Sequence, residues 1–194
     1  MRSRIGWLLA SMLLIAPSAS ATTYKVDHDH STIGFKIRHL FSNVTGSFTD
    51  YDGSFVYTAG KPEEWTASVT IQATSITTNL EKRDNHLRSK DFFDVATYPT
   101  LTFVSTGVTD VTPTSAKLNG KLTIHGVEKP VVFDLVIHGE GKDPWGNMRS
   151  GFTATTKINR KDFGLTWNQA VETGQLLVGD EVDILLEIEG IVQQ

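Results

Sequence analysis

Six histidines and no cysteine set the terms for any chemistry in this chain. The absence of cysteine excludes disulfides, thiolate metal sites, a cysteine nucleophile and a lipidated cysteine together. His28 and His30 lie one residue apart, so in a strand they share a face, and His39, His86 or His125 could complete a nitrogen site for zinc or copper. Against that reading, residues 27–31 have the composition of a turn, and no His-x-x-x-His pair occurs. There is no Gly-x-Ser-x-Gly elbow, and Asp84 and His86, two apart on a helix, do not face each other. Gly139-Glu140-Gly141-Lys142 reads as a hairpin turn rather than a phosphate cradle. The sequence therefore assigns no catalytic residue, no resident metal and no cofactor. Arg38, Arg83, Arg88 and Arg160 could meet a polar head group, and the competing reading for each is a solvated or ion-paired surface residue.

The elements that position these side chains begin after an export signal. Arg2 and Arg4 precede an apolar run over residues 5–16, then Pro17 and Ala19-Ser20-Ala21, which predicts a secretory signal peptide over residues 1–21, cleaved after Ala21. The apolar run falls short of the roughly 20 residues a spanning helix needs, so no stable membrane insertion is expected; an uncleaved anchor is the alternative. Residues 22–194 then form the folded part. Of 18 basic and 22 acidic groups in the 194-residue chain, Arg2 and Arg4 leave with the signal, so the remainder carries a formal charge of −6. With no basic field, nucleic acid is excluded as a partner.

Alternation with period 2 recurs about eight times in residues 22–194. Ile33, Phe35 and Ile37 alternate with Thr32, Gly34, Lys36 and Arg38. Phe48 and Phe55 differ in parity, which requires a bend near residues 50–53. Further apolar faces are Ala67, Val69, Ile71 and Ala73; Leu101 and Phe103; Ala116, Leu118, Leu122 and Ile124; Val131, Phe133, Leu135 and Ile137; Phe152, Ala154 and Ile158; and Val182, Ile184, Leu186 and Ile188. Residues 78–90 break the pattern and place Leu80, Arg83, Asp84 and Leu87 on one helical face, with Thr78 or Asn79 as cap. Residues 159–179 form an irregular insertion that could hold another helical turn.

The expected fold is all-β, a closed antiparallel eight-stranded barrel with one short helix packed against it, because closure removes exposed edges. A two-sheet sandwich is the alternative. An interior of that size is either filled by side chains or holds one small ligand. Small inward residues, Ala67, Ala73, Gly107, Ala116, Gly120 and Ala154, favour a cavity, and Phe92-Phe93 reads either as a gate at its mouth or as plain packing.

Ordered fragments along the chain resemble the YceI-like family. They are Asp27-His28-Asp29-His30-Ser31-Thr32-Ile33-Gly34-Phe35, Arg38-His39-Leu40, Gly46-Ser47-Phe48, Arg83-Asp84-Asn85-His86-Leu87-Arg88-Ser89, Asp91-Phe92-Phe93-Asp94 with Tyr98-Pro99, Gly120-Lys121-Leu122-Thr123-Ile124-His125-Gly126-Val127 with Lys129-Pro130, Gly151-Phe152, and Arg160-Lys161-Asp162-Phe163-Gly164-Leu165. Residues 171–178 match no family motif. The resemblance implies a periplasmic, lipocalin-like barrel, often a homodimer, whose apolar tunnel holds a polyisoprenoid, isoprenoid quinone or similar long-chain amphiphile. Carried onto this chain, the tunnel lining falls to Ile33, Phe35, Ile37 and Phe48; Ala67, Val69 and Ile71; Phe92 and Phe93; Leu101 and Phe103; Leu118 and Leu122; Phe133 and Leu135; Phe152; and Ile184 and Leu186. Head-group contacts fall to Arg38, His39, Arg83, His86, Arg88 and Arg160. The alternative is a filled barrel that binds metal through histidines or is an enzyme of unrecognised type.

Overall fold

The computed structural model describes residues 22–172 and 174–193, so the expected signal peptide lies outside the described residues. Eleven strands are present: β1 (Thr23–Val26), β2 (Thr32–His39), β3 (Ser42–Phe48), β4 (Tyr51–Val56), β5 (Thr66–Gln72), β6 (Ile76–Thr77), β7 (Thr100–Thr109), β8 (Ser115–Ile124), β9 (Val127–Lys142), β10 (Met148–Asn159) and β11 (Val178–Val192). Six of them are halves of three interrupted staves, since β1 pairs with β4 while β2 pairs with β3, and β4 pairs with β5 while β3 pairs with β6. The remaining staves follow in chain order, β5 to β7, β8, β9, β10 and β11. The ring closes where β11 returns to the first stave, pairing Val192 with Tyr24 on β1 and Leu186 with Ile33 on β2. The result is an eight-stave, up-and-down antiparallel barrel, closed through β1, β4, β5 and β7 to β11, with the short β6 pairing only with β3.

Local sequence explains the interruptions. The parity change between Phe48 and Phe55 is met at residues 49–50, where β3 ends on Phe48 and β4 restarts on Tyr51; all three aromatic side chains are buried. A 3-10 turn over His28–His30 divides β1 from β2, so His28 and His30 do not share a strand face. The four-residue strand β1 is too short to show a period in the sequence, yet it buries Tyr24 and Val26. Residues 139–142 are the end of β9 rather than a turn, and the hairpin itself occupies residues 143–147, where Asp143 Oδ1 accepts hydrogen bonds from the backbone N–H groups of Trp145 and Asn147.

The single α-helix among the described residues, α1, spans Glu81–Arg88. Leu80 stands at its cap position without a side-chain cap bond. Thr78, expected as the cap, instead donates its N–H (2.8 Å) and its hydroxyl to the buried Asp84 carboxylate, which Thr77 also reaches at 3.2 Å. Burial works to raise the Asp84 pKa, but these bonds and the Arg88 charge hold it below the ordinary value. The connection carrying α1, the β2–β3 turn, the β8–β9 turn and residues 160–177 all lie at one end of the barrel, the helix end. Residues 57–65, 110–114 and 143–147 lie at the other, the hairpin end.

Glycines on the barrel wall seat aromatic rings from other staves. Phe103 lies over Gly120, Phe35 over Gly46 and Phe55 over Gly190. Gly120 therefore does not leave empty space; a Cβ there would fall within the Phe103 ring and 2.8 Å from the Val104 carbonyl oxygen. Of the other small residues expected to open the interior, Ala67 and Ala154 border the cavity described below, whereas Ala73, Gly107 and Ala116 do not. Gly120→Ala should lower stability by about 2 kcal/mol, the cost of overpacking against backbone that cannot yield, measurable by urea unfolding.

Candidate functional site

A cavity of about 360 Å³ lies inside the barrel, bounded by side chains from both ends. Every one of the eighteen apolar side chains placed inward above borders it, including Phe92 and Phe93 from the segment after α1. The alternation explains this for the strands, since successive side chains leave opposite faces of the sheet. The sequence did not reveal Tyr57, Trp65, Leu87, Leu165, Trp167 and Leu177, which also border the cavity. All but Leu87 sit in irregular segments, where period 2 is silent, and Leu87 was legible only as part of a helical face.

At the hairpin end the cavity is bordered by a cluster of aromatic side chains. Tyr57 packs against Trp65 (4.9 Å between ring centres) and edge-on against Phe152 (5.1 Å), which in turn meets Phe55 (5.3 Å). The Trp65 indole N–H donates to the Thr58 carbonyl at 2.8 Å. Beside this group the Tyr24 hydroxyl donates to Glu140 at 2.9 Å; burial, then that carboxylate, pushes its pKa up to about 12.

The histidines and arginines of the lining gather at the helix end. His39, Arg83, His86 and Arg160 border the cavity; Arg38 and Arg88 do not. The Arg83 Nε donates to the Thr78 hydroxyl at 2.6 Å and a terminal nitrogen to the Thr78 carbonyl at 3.0 Å. His86 Nε2 lies 2.8 Å from Asp91, and its ring stands edge-on to Phe92 (5.1 Å) and Trp167 (4.8 Å). Asp84 and His86 thus hold different partners. Arg88 donates to the carbonyls of Thr74 and Ile76, both at 2.7 Å, filling acceptors left open where β5 and β6 are interrupted. Arg38 points away from the interior and donates to the Leu40 carbonyl at 3.1 Å.

Arg160 is buried, 3% exposed, and organises the wall of the mouth. Between Val178 and Val182, β11 carries two residues more than β2 opposite it, and Arg160 Nε donates to the Gly179 carbonyl in that bulge at 2.8 Å. Its NH1 donates to the carbonyls of Leu165 and Trp167, the latter at 2.9 Å, and NH2 lies 3.4 Å from Asp180. Burial draws the Arg160 pKa down, opposed by Asp180. The side chain therefore fixes the segment that presents Leu165 and Trp167 to the cavity.

The histidines do not converge. His28 stacks on Tyr51 at 4.3 Å, His125 packs at a tilt against Tyr98 at 4.3 Å, and His138 bonds Thr153 at 2.8 Å. Among the described residues the one group with metal-like spacing is Asp27, His30 and Glu189, whose ligand atoms lie within 4.8 Å of one another. Arg149 already bridges it, reaching Asp27 at 2.5 Å, Glu189 at 2.6 Å and, through Nε, Asp143 at 2.8 Å. Burial alone would raise the Asp27 pKa, but the bonds from Arg149 and His30 hold it at about 2, and the Asp143 carboxyl is likewise held well below its usual range by Arg149.

Fold and site together define an up-and-down β-barrel with an apolar internal cavity and a polar rim at its helix end. The chain belongs to the YceI-like family: the model of the YceI-like domain matches residues 24–190. A UPF0312 protein of Pseudomonas putida (strain W619) is 42% identical over 189 residues, 96% of this chain and 95% of that protein. A UPF0312 protein of Azotobacter vinelandii is also 42% identical, over 95% of each. The solved Campylobacter jejuni YCEI protein is 32% identical with a TM-score of 0.70, covering 81% of this chain and 90% of that one. Two further structures share the fold: Burkholderia cenocepacia BcnA (24% identity, TM-score 0.75, 84% and 98% covered) and a polyisoprenoid binding domain from Saccharophagus degradans (18%, 0.65, 89% and 99%). Among the described residues no helix is long and apolar enough to cross a membrane.

Two outcomes follow for stability. Arg160→Leu should destabilise the protein by about 3 kcal/mol, because it strips buried carbonyls of their donor, and should raise the quenching of Trp167 fluorescence by acrylamide. The low Asp27 pKa makes its contribution complete above the unfolded value of 3.8 and lost as pH falls through about 2. The stability advantage of wild type over Asp27→Asn, about 2 kcal/mol near neutrality, should therefore vanish between about pH 4 and pH 2 in urea titrations.

Proposed function

We propose that this protein is an exported, periplasmic binding protein that holds a polyisoprenoid, an isoprenoid quinone or a similar long-chain amphiphile in its barrel, for transport, storage or sequestration. The observation that carries the reading is the cavity: an interior lined by Ile, Leu, Val and Phe from every stave, with His39, Arg83 and His86 at one end only. That arrangement suits a chain inside and a polar head at the rim. Burial of a methylene is worth about 0.8 kcal/mol, so some ten of them supply roughly 8 kcal/mol before ordering costs, about micromolar affinity. The Saccharophagus degradans domain of the same fold, described as polyisoprenoid binding, points the same way. The pattern of residues 1–21 and the absence of cysteine agree with export. No catalytic role is proposed for Asp84 or His86, each engaged by its own neighbours.

Native mass spectrometry of the protein isolated from its own envelope without detergent tests the reading. A prenyl or acyl compound should accompany the protein at near-equal stoichiometry. Ala154→Phe, which fills the cavity without adding charge, and Leu122→Asp should each lower retention about tenfold or more, whereas His28→Ala with His30→Ala should leave it unchanged. A bare polypeptide that also takes up no quinone or polyprenol when offered them would overturn it.

A further inference from the structure

We propose that the helix end of the barrel docks on a lipid bilayer, through Phe41, Leu80 and Leu176; this rests on the carrier reading above. Phe41 tips the β2–β3 turn and is 88% exposed, Leu80 precedes α1 at 52%, and Leu176 lies in the β10–β11 connection at 41%. All three belong to the connections that form the cavity's polar mouth, where His39, Arg83, His86 and Trp167 stand.

The tips are held rather than loose. Leu40 adopts φ +49°, a conformation that branched residues disfavour, and its N–H donates to the Leu177 carbonyl at 2.9 Å. That bond ties the turn bearing Phe41 to the segment bearing Leu176. Arg38 adds a bond to the Leu40 carbonyl from the adjacent strand. The β2–β3 turn is thus bound into a fixed shape that leaves a phenyl ring in water.

Charge selects a bilayer and the face that meets it. Residues 38–44, 80–94 and 165–177 contain five basic and five acidic groups, so the net charge of −6 on residues 22–194 lies entirely elsewhere. One of those acids, Asp84, is buried and bonded. An anionic lipid surface repels the body of the protein and not this end, while the apolar tips enter the boundary between head groups and chains. Cargo that lives in a bilayer then reaches the cavity without crossing water. The other strongly exposed aromatic residue, Trp145, is on the β9–β10 hairpin at the opposite end and serves as the control.

The experiment uses residues 22–194 and vesicles of phosphatidylethanolamine with a minority of phosphatidylglycerol, loaded with an isoprenoid quinone. Extraction of the quinone into the protein is timed after separating vesicles by flotation, and uptake of the same quinone added from ethanol without vesicles is measured in parallel. The double variant Phe41→Ser, Leu176→Ser should extract about tenfold more slowly or worse while its vesicle-free uptake stays at the wild-type level. Trp145→Ser should match wild type in both. Extraction by the double variant at the wild-type rate, or an equal loss in Trp145→Ser, overturns the proposal. A defect seen only when envelope proteins are added to the vesicles identifies a protein dock and also overturns it. Wild-type protein that takes up quinone by neither route removes the carrier reading instead, and flotation of wild type against the double variant then decides docking without cargo.

Discussion

Ring closure by β11 is the constraint on which the rest of the structure depends. One edge of this strand pairs with β10 over its length, and the other is shared between β1 and β2. Sharing works only if the first stave bends, and the 3-10 turn at His28–His30 supplies the bend between its halves. The second and third staves break at neighbouring places, residues 49–50 and Ala73–Ser75, so three consecutive staves change direction together. Each break leaves backbone groups without ladder partners, and arginine side chains take them up. Arg88 fills the carbonyls of Thr74 and Ile76, and Arg160 fills Gly179 in the bulge of β11. An orphaned buried carbonyl costs about 1–3 kcal/mol, so these arginines belong to the architecture before they belong to any site.

A closed ring of eight staves encloses an interior that nine of the ten phenylalanines could fill. It stays hollow partly because of where the rings lie. Phe35 and Phe103 each rest on a glycine of the adjacent stave, at a distance no other residue would allow. A ring seated on the wall adds apolar surface and leaves the axis free. Rings are stacked across the interior instead at the hairpin end, where Tyr57, Trp65, Phe152 and Phe55 meet one another. The same residue type thus lines the barrel along its length and gathers into a cluster at one end.

The strand faces were legible because a half-buried sheet writes period 2 into the sequence, and the family fragments added the order of the elements. Legibility failed where the backbone leaves that period. Gly139 to Lys142 carries turn-forming residues and still pairs along β10, since β9 is longer than its apolar face. Leu80 falls on the apolar face of an ideal helix, but α1 begins one residue later and leaves it outside. Trp167 and Leu177 carry no pattern at all; Arg160 holds the Trp167 carbonyl, and backbone bonds to Leu40 and Gln169 hold Leu177. The arginines show the general difficulty. By type and spacing Arg38, Arg88 and Arg160 resemble one another, and which of them touches the cavity is decided by backbone acceptors that composition does not reveal.

The two ends of the barrel are built from opposite uses of charge. At the hairpin end Arg149 is surrounded by Asp27, Asp143 and Glu189, every bond at or below 2.8 Å, and Tyr24 is tied to Glu140. Charge there is paired with charge, which locks the first stave to β10 and β11 and offers nothing to a ligand. At the helix end Arg83 and Arg160 are held chiefly by hydroxyl and carbonyl oxygens, which position a guanidinium without neutralising it. A cation held by neutral acceptors keeps its field, and beside an apolar cavity that field is little screened. The barrel is consequently polar at one end and aromatic at the other, and the proposed orientation of an amphiphile, chain inward and head toward the helix end, rests on that asymmetry.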